Sequence, residues 1–333
     1  MRRLVVCLIV LLAGSVARAA DPLPYAAYAA FVRQLHQHWY VPRSAEFAEQ
    51  SRRLAAVLQG DCTDTAALRT QWLQTVASWE RFSAVRGGAL LARRSPREID
   101  FMPTRTEAIA KAIRRAPADA AAMDQIGSPA KGLPALEWLL WAGATPLDAA
   151  SCRYAQQAAA AVAAEAQLLQ RAYELALARG WDDGEAEYAM YEFLNLWDAG
   201  LQKLWWEELD RPLQKAAPNR PALFSRALSG HSLAGWRGQW QGLRQLALGV
   251  EAGGPSISAY LRASGQQPAA DKLLQQVLEV DRAMAALELP VNAAQAARAR
   301  AAVSALKALQ QFAEGEMATA LHFVISFFDE DGD

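Results

Sequence analysis

Four places in the chain carry side chains able to do chemistry. The first is Glu137, a lone carboxylate inside Lys131-Gly132-Leu133-Pro134-Ala135-Leu136-Glu137-Trp138-Leu139-Leu140-Trp141. An ionised carboxylate in such apolar company is costly unless it is paired. Glu137 therefore either meets a cation, with Arg81 and Arg153 as candidates, or faces an internal cleft as the anchor for a ligand. The second place is Ser229-Gly230-His231-Ser232, where two hydroxyls stand beside an imidazole. Sequence neighbours rarely form a nucleophilic triad, and these serines suit helix capping. The third is His36 and His38, two residues apart, which point away from each other on a helix and cannot share a metal from one face. They read as surface or rim residues. The fourth is the acidic run Asp329-Glu330-Asp331-Gly332-Asp333. A calcium loop needs further ligands beyond its glycine, so the run reads as a solvated terminus.

Other chemistries lack their residues. The chain has four histidines and no His-Glu-x-x-His, no Gly-x-Ser-x-Gly elbow, no phosphate-cradling glycine loop and no Cys-x-x-Cys-His haem attachment. Metal hydrolysis and nucleophilic catalysis are poor readings of this sequence, and a binding role is the better one.

The elements that must position these residues read as helices. Composition is 53% hydrophobic, in alanine-rich tracts with few β-branched runs, which favours an all-α protein. Tyr25, Tyr28, Val32, Leu35 and Trp39 form one helical stripe, which Pro42 is expected to end. Ser44 is expected to cap a second helix, and Thr63 or Asp64 a third that bears Leu68, Trp72, Val76 and Trp79. Gly87-Gly88 opens a loop-like stretch to Pro103, followed by a helix over 104–115. Pro134 either kinks the Glu137 helix or marks a second start. A long helix over 147–179 ends at Gly180, and residues 181–184 are the candidate boundary between two halves, 20–180 and 181–333. A helix over 185–209, with aromatic residues at core spacing, is followed by a linker over 212–221. Ser232 is expected to cap the next helix. Helices over 257–263, 270–287 and 293–328 complete the pattern, with Pro290 before the last.

Met1-Arg2-Arg3, an apolar run from Leu4 to Leu12, and Ala17-Arg18-Ala19 read as a secretory signal over 1–19, cleaved after Ala19 or Ala20; an uncleaved anchor is the alternative. Its loss removes Arg2, Arg3 and Arg18 and moves the formal charge from −1 to −4. No basic block remains, which argues against a nucleic-acid partner. No later run is long enough to span a membrane. Cys62 and Cys152 then remain, either as one disulfide in an oxidising periplasm or as two buried thiols.

Several moderate motifs, in order, resemble the imelysin-like proteins, the M75 "peptidase" family of bacterial envelopes. They are Trp72 and Trp79, Gly87-Gly88 and Phe101-Met102-Pro103, the Gly132–Trp141 helix, Cys152-Arg153, the Ser229 segment and the Asp-Gly-Asp end. That family carries Gly-x-His-x-x-Glu where this chain has Gly132, Pro134 and Glu137. Proline offers no donor atom, so the family's metal pair is not carried over. The resemblance implies two pseudo-symmetric helical-bundle halves, with a cleft lined by Glu137 and the Ser229 segment. It also implies a periplasmic role in iron acquisition without established peptidase activity. On that basis the binding residues are expected to be Gly132, Glu137, Trp138, Ser229, His231 and Ser232, with Glu137 as the one metal-ligand candidate. Iron or haem is the expected guest. The alternative is an envelope scaffold that meets another protein through a tryptophan-rich surface; a metallopeptidase is the weakest reading.

Overall fold

Tyr28, Val32, Leu35 and Trp39 are all buried, as their spacing requires. In the computed structural model, which describes residues 25–60, 62–216, 222–249, 254–289 and 293–324, every regular element is helical and no strand occurs among the described residues. The expected signal segment and the acidic end lie outside those residues. In chain order the helices are α1 (Tyr25–Leu35), α2 (Val41–Gly60), α3 (Thr65–Phe82), α4 (Ala89–Ala92), α5 (Ser95–Ile99), α6 (Thr106–Arg115), α7 (Ala120–Asp124), α8 (Gly132–Trp141) and α9 (Ala149–Arg179). There follow α10 (Asp183–Gln202), α11 (Arg211–Lys215), α12 (Ser232–Leu248), α13 (Ile257–Ala263), α14 (Gln267–Ala285), α15 (Ala293–Phe312) and α16 (Ala318–Leu321).

Two prolines expected to stop helices do not. A π-turn over His36–Tyr40 joins α1 to α2, and another over Lys203–Asp210 joins α10 to α11. Each shifts the hydrogen-bond register by one residue, so that Val41 N–H reaches His36 O and Arg211 N–H reaches Trp206 O. Pro42 and Pro212 follow directly, in the first turn of the resumed helix, where a missing N–H costs little. The stretch expected as loop over 87–103 instead holds α4 and α5. Asp64 caps α3 through Ala67 N–H at 3.0 Å, and Asp182 forms a full capping box with Glu185.

Helices α2, α3, α8 and α9 pack on one another, as do α12, α13, α14 and α15. The two groups meet where α3 lies on α12; α1 packs on α10, and the buried apolar residues form one continuous core. Glycines permit the close crossings. A Cβ at Gly242 would lie 2.6 Å from Arg81 O, and one at Gly200 would lie 2.3 Å from Ala84 O. Cys62 and Cys152 form a disulfide that ties the turn after α2 to the first turn of α9, with 5.9 Å between Cα atoms. The tryptophans are buried or half-buried, with Trp138, Trp141, Trp181, Trp205 and Trp206 reaching the surface in part. No helix among the described residues is long and apolar enough to cross a membrane.

Candidate functional site

The helix α8 begins at a close approach to the end of α5. Gly132 has φ +72°, and a Cβ there would come 2.2 Å from Ile99 O at the end of α5. Only glycine fits both the left-handed backbone and that approach. Pro134 is thus a residue of the first turn of a new helix rather than a kink, since Ser128–Ala130 is a separate 3-10 turn and Lys131 is extended. Glu137 follows, 3% exposed.

Neither Arg81 nor Arg153 meets Glu137. Arg81 pairs with Glu46 at 2.5 Å. Oε1 of Glu137 accepts instead from Ser229, from the backbone N–H at 2.9 Å and the hydroxyl at 2.7 Å. The expected first-half carboxylate and second-half serine are therefore in direct contact. The turn that brings Ser229 there spans residues 225–231. Arg226 sits in it at φ +57°, a left-handed conformation that costs an L-residue roughly 1–2 kcal/mol. The turn is held by His231 N–H to Arg226 O at 3.0 Å and by the Ser232 hydroxyl, which donates to Ser225 O at 2.5 Å. Ser232 is consequently not the helix cap expected of it; α12 starts there without a side-chain cap. Trp138 is half-buried and packs on the core rather than joining the polar groups.

Sequence reasoning missed the centre of this network. The Arg226 side chain is 2% exposed and bonds Glu80 on α3 at 3.1 Å and Asp100 after α5 at 2.6 Å. Its guanidinium lies 5.9 Å from the Trp72 ring centroid. Trp79 Nε1–H donates to Asp100 at 2.8 Å, and Gln239 Nε2–H on α12 donates to Glu80 at 2.7 Å. Ser225 donates to Glu208, which also pairs with Lys203 at 2.8 Å. A signal existed for Glu80: it follows Trp72 and Val76 at eight and four residues on a buried helical stripe, where a carboxylate implies a partner.

The charges fall into two groups. Burial alone would depress the Arg226 guanidinium, but Asp100, Glu80 and Glu137 together hold it above its usual value. Burial pushes the Glu80 carboxyl up, Arg226 pulls it back, and the Asp100 charge adds to the rise. For Glu208, burial raises the carboxyl, yet Lys203, the Ser225 hydrogen bond and Arg226 outweigh it and hold it at about 2. His231 is lowered by burial and by Arg226, which favours the neutral imidazole. Two buried nitrogens of this turn, Arg226 Nη1 and His231 Nε2, have no hydrogen-bond partner.

The Ser229 hydroxyl is committed within this network. The Ser229 hydroxyl is bonded to a carboxylate and to the Arg226 carbonyl, 3.1 Å away, with no imidazole placed to take its proton. Among the described residues no group of three or more His, Cys, Asp or Glu side chains could hold a metal ion. A metal of the kind a His-x-x-Glu pair would hold does not fit the residues present, since Pro134 supplies no donor.

The whole chain has close structural counterparts. An imelysin-like protein from Psychrobacter arcticum 273-4 superposes with a TM-score of 0.80 at 19% identity, over 93% of this chain and 99% of that one. A protein named as a "putative iron-regulated protein A precursor" from Parabacteroides distasonis ATCC 8503 gives 0.75 at 14% identity, over 91% of this chain and 96% of that one. No curated protein matches. The imelysin profile of the M75 peptidases matches residues 40–314. With that match spanning well over half the sequence and the same all-α fold beneath it, the chain belongs to the imelysin family.

Proposed function

We propose that this protein is an exported, non-catalytic binding protein of the bacterial envelope, acting in iron or haem acquisition, with its guest held where the halves 20–180 and 181–333 meet. One observation carries the reading. Beside the Glu137–Ser229 contact, which pins the second-half turn to the first-half helix, Arg226 Nη1 and His231 Nε2 are buried without partners. Buried donors are normally satisfied, and orphans at a junction are where a guest or an ordered water completes the network. Arg226 Nη1 is a donor, so the guest would present an oxygen acceptor, such as a haem propionate or an oxygen ligand of iron. The periplasmic assignment is supported by the sequence's export signal and by the Cys62–Cys152 disulfide, a bond favoured outside the reducing cytosol. The iron context is supported by family membership and by the name of one structural neighbour.

The test is the iron and haem content of the protein purified from periplasm, beside Glu137→Ala. Near-stoichiometric iron or haem that disappears in the folded variant supports the reading. If neither protein carries a guest and the variant only melts earlier, Glu137 is a fold-holding residue and the binding reading fails.

A further inference from the structure

A second site lies away from this seam. Between α1, the π-turn after it, α4, the end of α9 and the start of α10 there is a cleft of about 620 Å³, within the size range of small-ligand pockets. Its walls include His36, Tyr40, Tyr173, Trp181, Tyr188 and Glu192. Gly87-Gly88 makes the room. A Cβ at Gly87 would stand 2.6 Å from the Tyr40 hydroxyl, and one at Gly88 would lie 3.3 Å from the Tyr173 ring and 4.0 Å from His36 Nε2.

The polar atoms here have a common character. His36 Nδ1 lies 3.0 Å from Val32 O. A carbonyl only accepts, so Nδ1 carries the proton and Nε2 presents a lone pair. Burial holds the imidazole at about 4, with the Val32 hydrogen bond opposing, so the ring is neutral near pH 7. Glu192 Oε1 accepts from Gly88 N–H at 2.6 Å. No basic side chain among the described residues pairs with Glu192; the cleft's arginine, Arg179, is bonded to Glu185 at 2.9 Å. The Tyr40 hydroxyl is buried beside the Gly87 backbone and makes no hydrogen bond of normal geometry. Around these groups the Trp181 ring lies 4.3 Å from the His36 ring, and Tyr40 and Tyr173 stack in parallel at 4.8 Å.

Burial pushes the Glu192 carboxyl up, against the Gly88 hydrogen bond, so a cation beside it is what favours its charged form; with the His36 Nε2 lone pair and the aromatic walls this defines the complement. An anion is repelled, and a neutral apolar guest leaves the carboxylate unpaired. An ammonium donates to both acceptors and is attracted to ring faces. We propose that this cleft binds a small organic amine, its ammonium between His36 Nε2 and the Glu192 carboxylate and its hydrocarbon body against Trp181 and Tyr188. This site is separate from the Glu137 seam and does not depend on the reading given to it.

Calorimetric titration of the full chain with 2-phenylethylamine, 2-phenylethanol and 3-phenylpropionate tests the assignment. The amine is expected to bind at least tenfold more tightly than the alcohol, with no binding of the carboxylate. Glu192→Gln, which keeps an oxygen for Gly88 N–H, is expected to weaken the amine at least tenfold while leaving the alcohol unchanged. Equal affinity for amine and alcohol within twofold, no amine binding at millimolar concentration, or an indifferent Glu192→Gln would each overturn the proposal. Should that variant not fold, the amine-to-alcohol ratio on the unaltered chain decides by itself.

Discussion

Replacing Arg226 by methionine keeps the length and most of the apolar contact of the side chain but deletes the cation. Glu80, 3% exposed, and Asp100 then lose their shared partner. Removing one partner of a buried pair typically costs about 3–5 kcal/mol, because the remaining charge has been taken from water without compensation. Unfolding entropy of about 2.1 cal/mol/K per residue over roughly 310 residues makes 1 kcal/mol worth about 1.5 °C. Arg226→Met should therefore lower Tm by about 5–8 °C at pH 7. The pH dependence gives a sharper test. Glu80 is already raised in the folded protein, by burial first, and losing Arg226 raises it further. A carboxyl raised on folding contributes stability below its unfolded pKa and loses it as pH rises through the folded value. The deficit of the variant must consequently shrink as pH falls toward the ordinary carboxylate range. Differential scanning calorimetry of both proteins at pH 7 and pH 5 measures this directly. A Tm within about 1 °C of the parent at pH 7, or a deficit that grows on acidification, would refute the claim that Arg226 is the charge holding the seam.

Reducing the Cys62–Cys152 bond opens a loop with a sequence separation of 90 residues, for which chain entropy predicts a loss of about 4–5 kcal/mol; urea unfolding with and without dithiothreitol reads it, and coincident curves would contradict the estimate. Gly242→Ala puts a methyl group 2.6 Å from Arg81 O and should cost about 2 kcal/mol or more by separating α12 from α3. Gly315→Ala, with nothing within 4 Å, should be neutral or stabilise by up to about 1 kcal/mol, so equal effects in thermal melts would discount the close-packing argument. Asp198 is buried, its Oδ1 lacks a partner, and burial raises it to about 7, against the Gln310 hydrogen bond and with the Glu314 charge adding to the rise. Its folded value exceeds its unfolded one, so stability is lost as pH rises through 7; Asp198→Asn should gain about 1–3 kcal/mol at pH 8 and little near pH 4, which denaturant titration at the two pH values checks.

The helices were largely legible because apolar periodicity is a local property. The stripes 28–32–35–39 and 68–72–76–79 are buried as written, and Asp64, one of the two caps expected for α3, is the one that caps it, whereas the Asp182 cap lay in a stretch read only as a boundary. Helix ends at prolines were not legible. The π-turns before Pro42 and Pro212 change the register, and nothing in a propensity scale reports an i-to-i+5 bond. The Glu137–Ser229 contact was foreshadowed by the family resemblance, whereas its arginine partner was misplaced. Glu80, Asp100 and Arg226 come from three distant segments, and a buried ion pair between such segments leaves only a single out-of-place charge in each. Glu80 on an apolar stripe was one such mark. The glycines of α12 were another: Gly235, Gly238 and Gly242 fall on the side that faces α3, where Glu80 and Arg81 lie.

The positions of the expected family signature, 132, 134 and 137, meet different physical demands in this chain. Gly132 is needed for its φ and for the approach to Ile99 O, and Glu137 is needed to receive Ser229. Both stand in this chain, the glycine at the close approach and the carboxylate against Ser229. The intervening position is different. Pro134 lies in the first turn of α8, where N–H groups have no intrahelical acceptor, so proline there removes no hydrogen bond and its fixed φ suits the helix start. A proline at that position is thus compatible with α8 and with the seam that α8 supports. Pro134→His tests this: it puts a larger, polar ring at a buried position and frees the helix start, so it should cost about 1–3 kcal/mol of stability. Zinc or iron affinity gained by that variant would show a metal position that proline closes. A loss of stability beyond that range would show that Pro134 is itself part of what fixes the helix start.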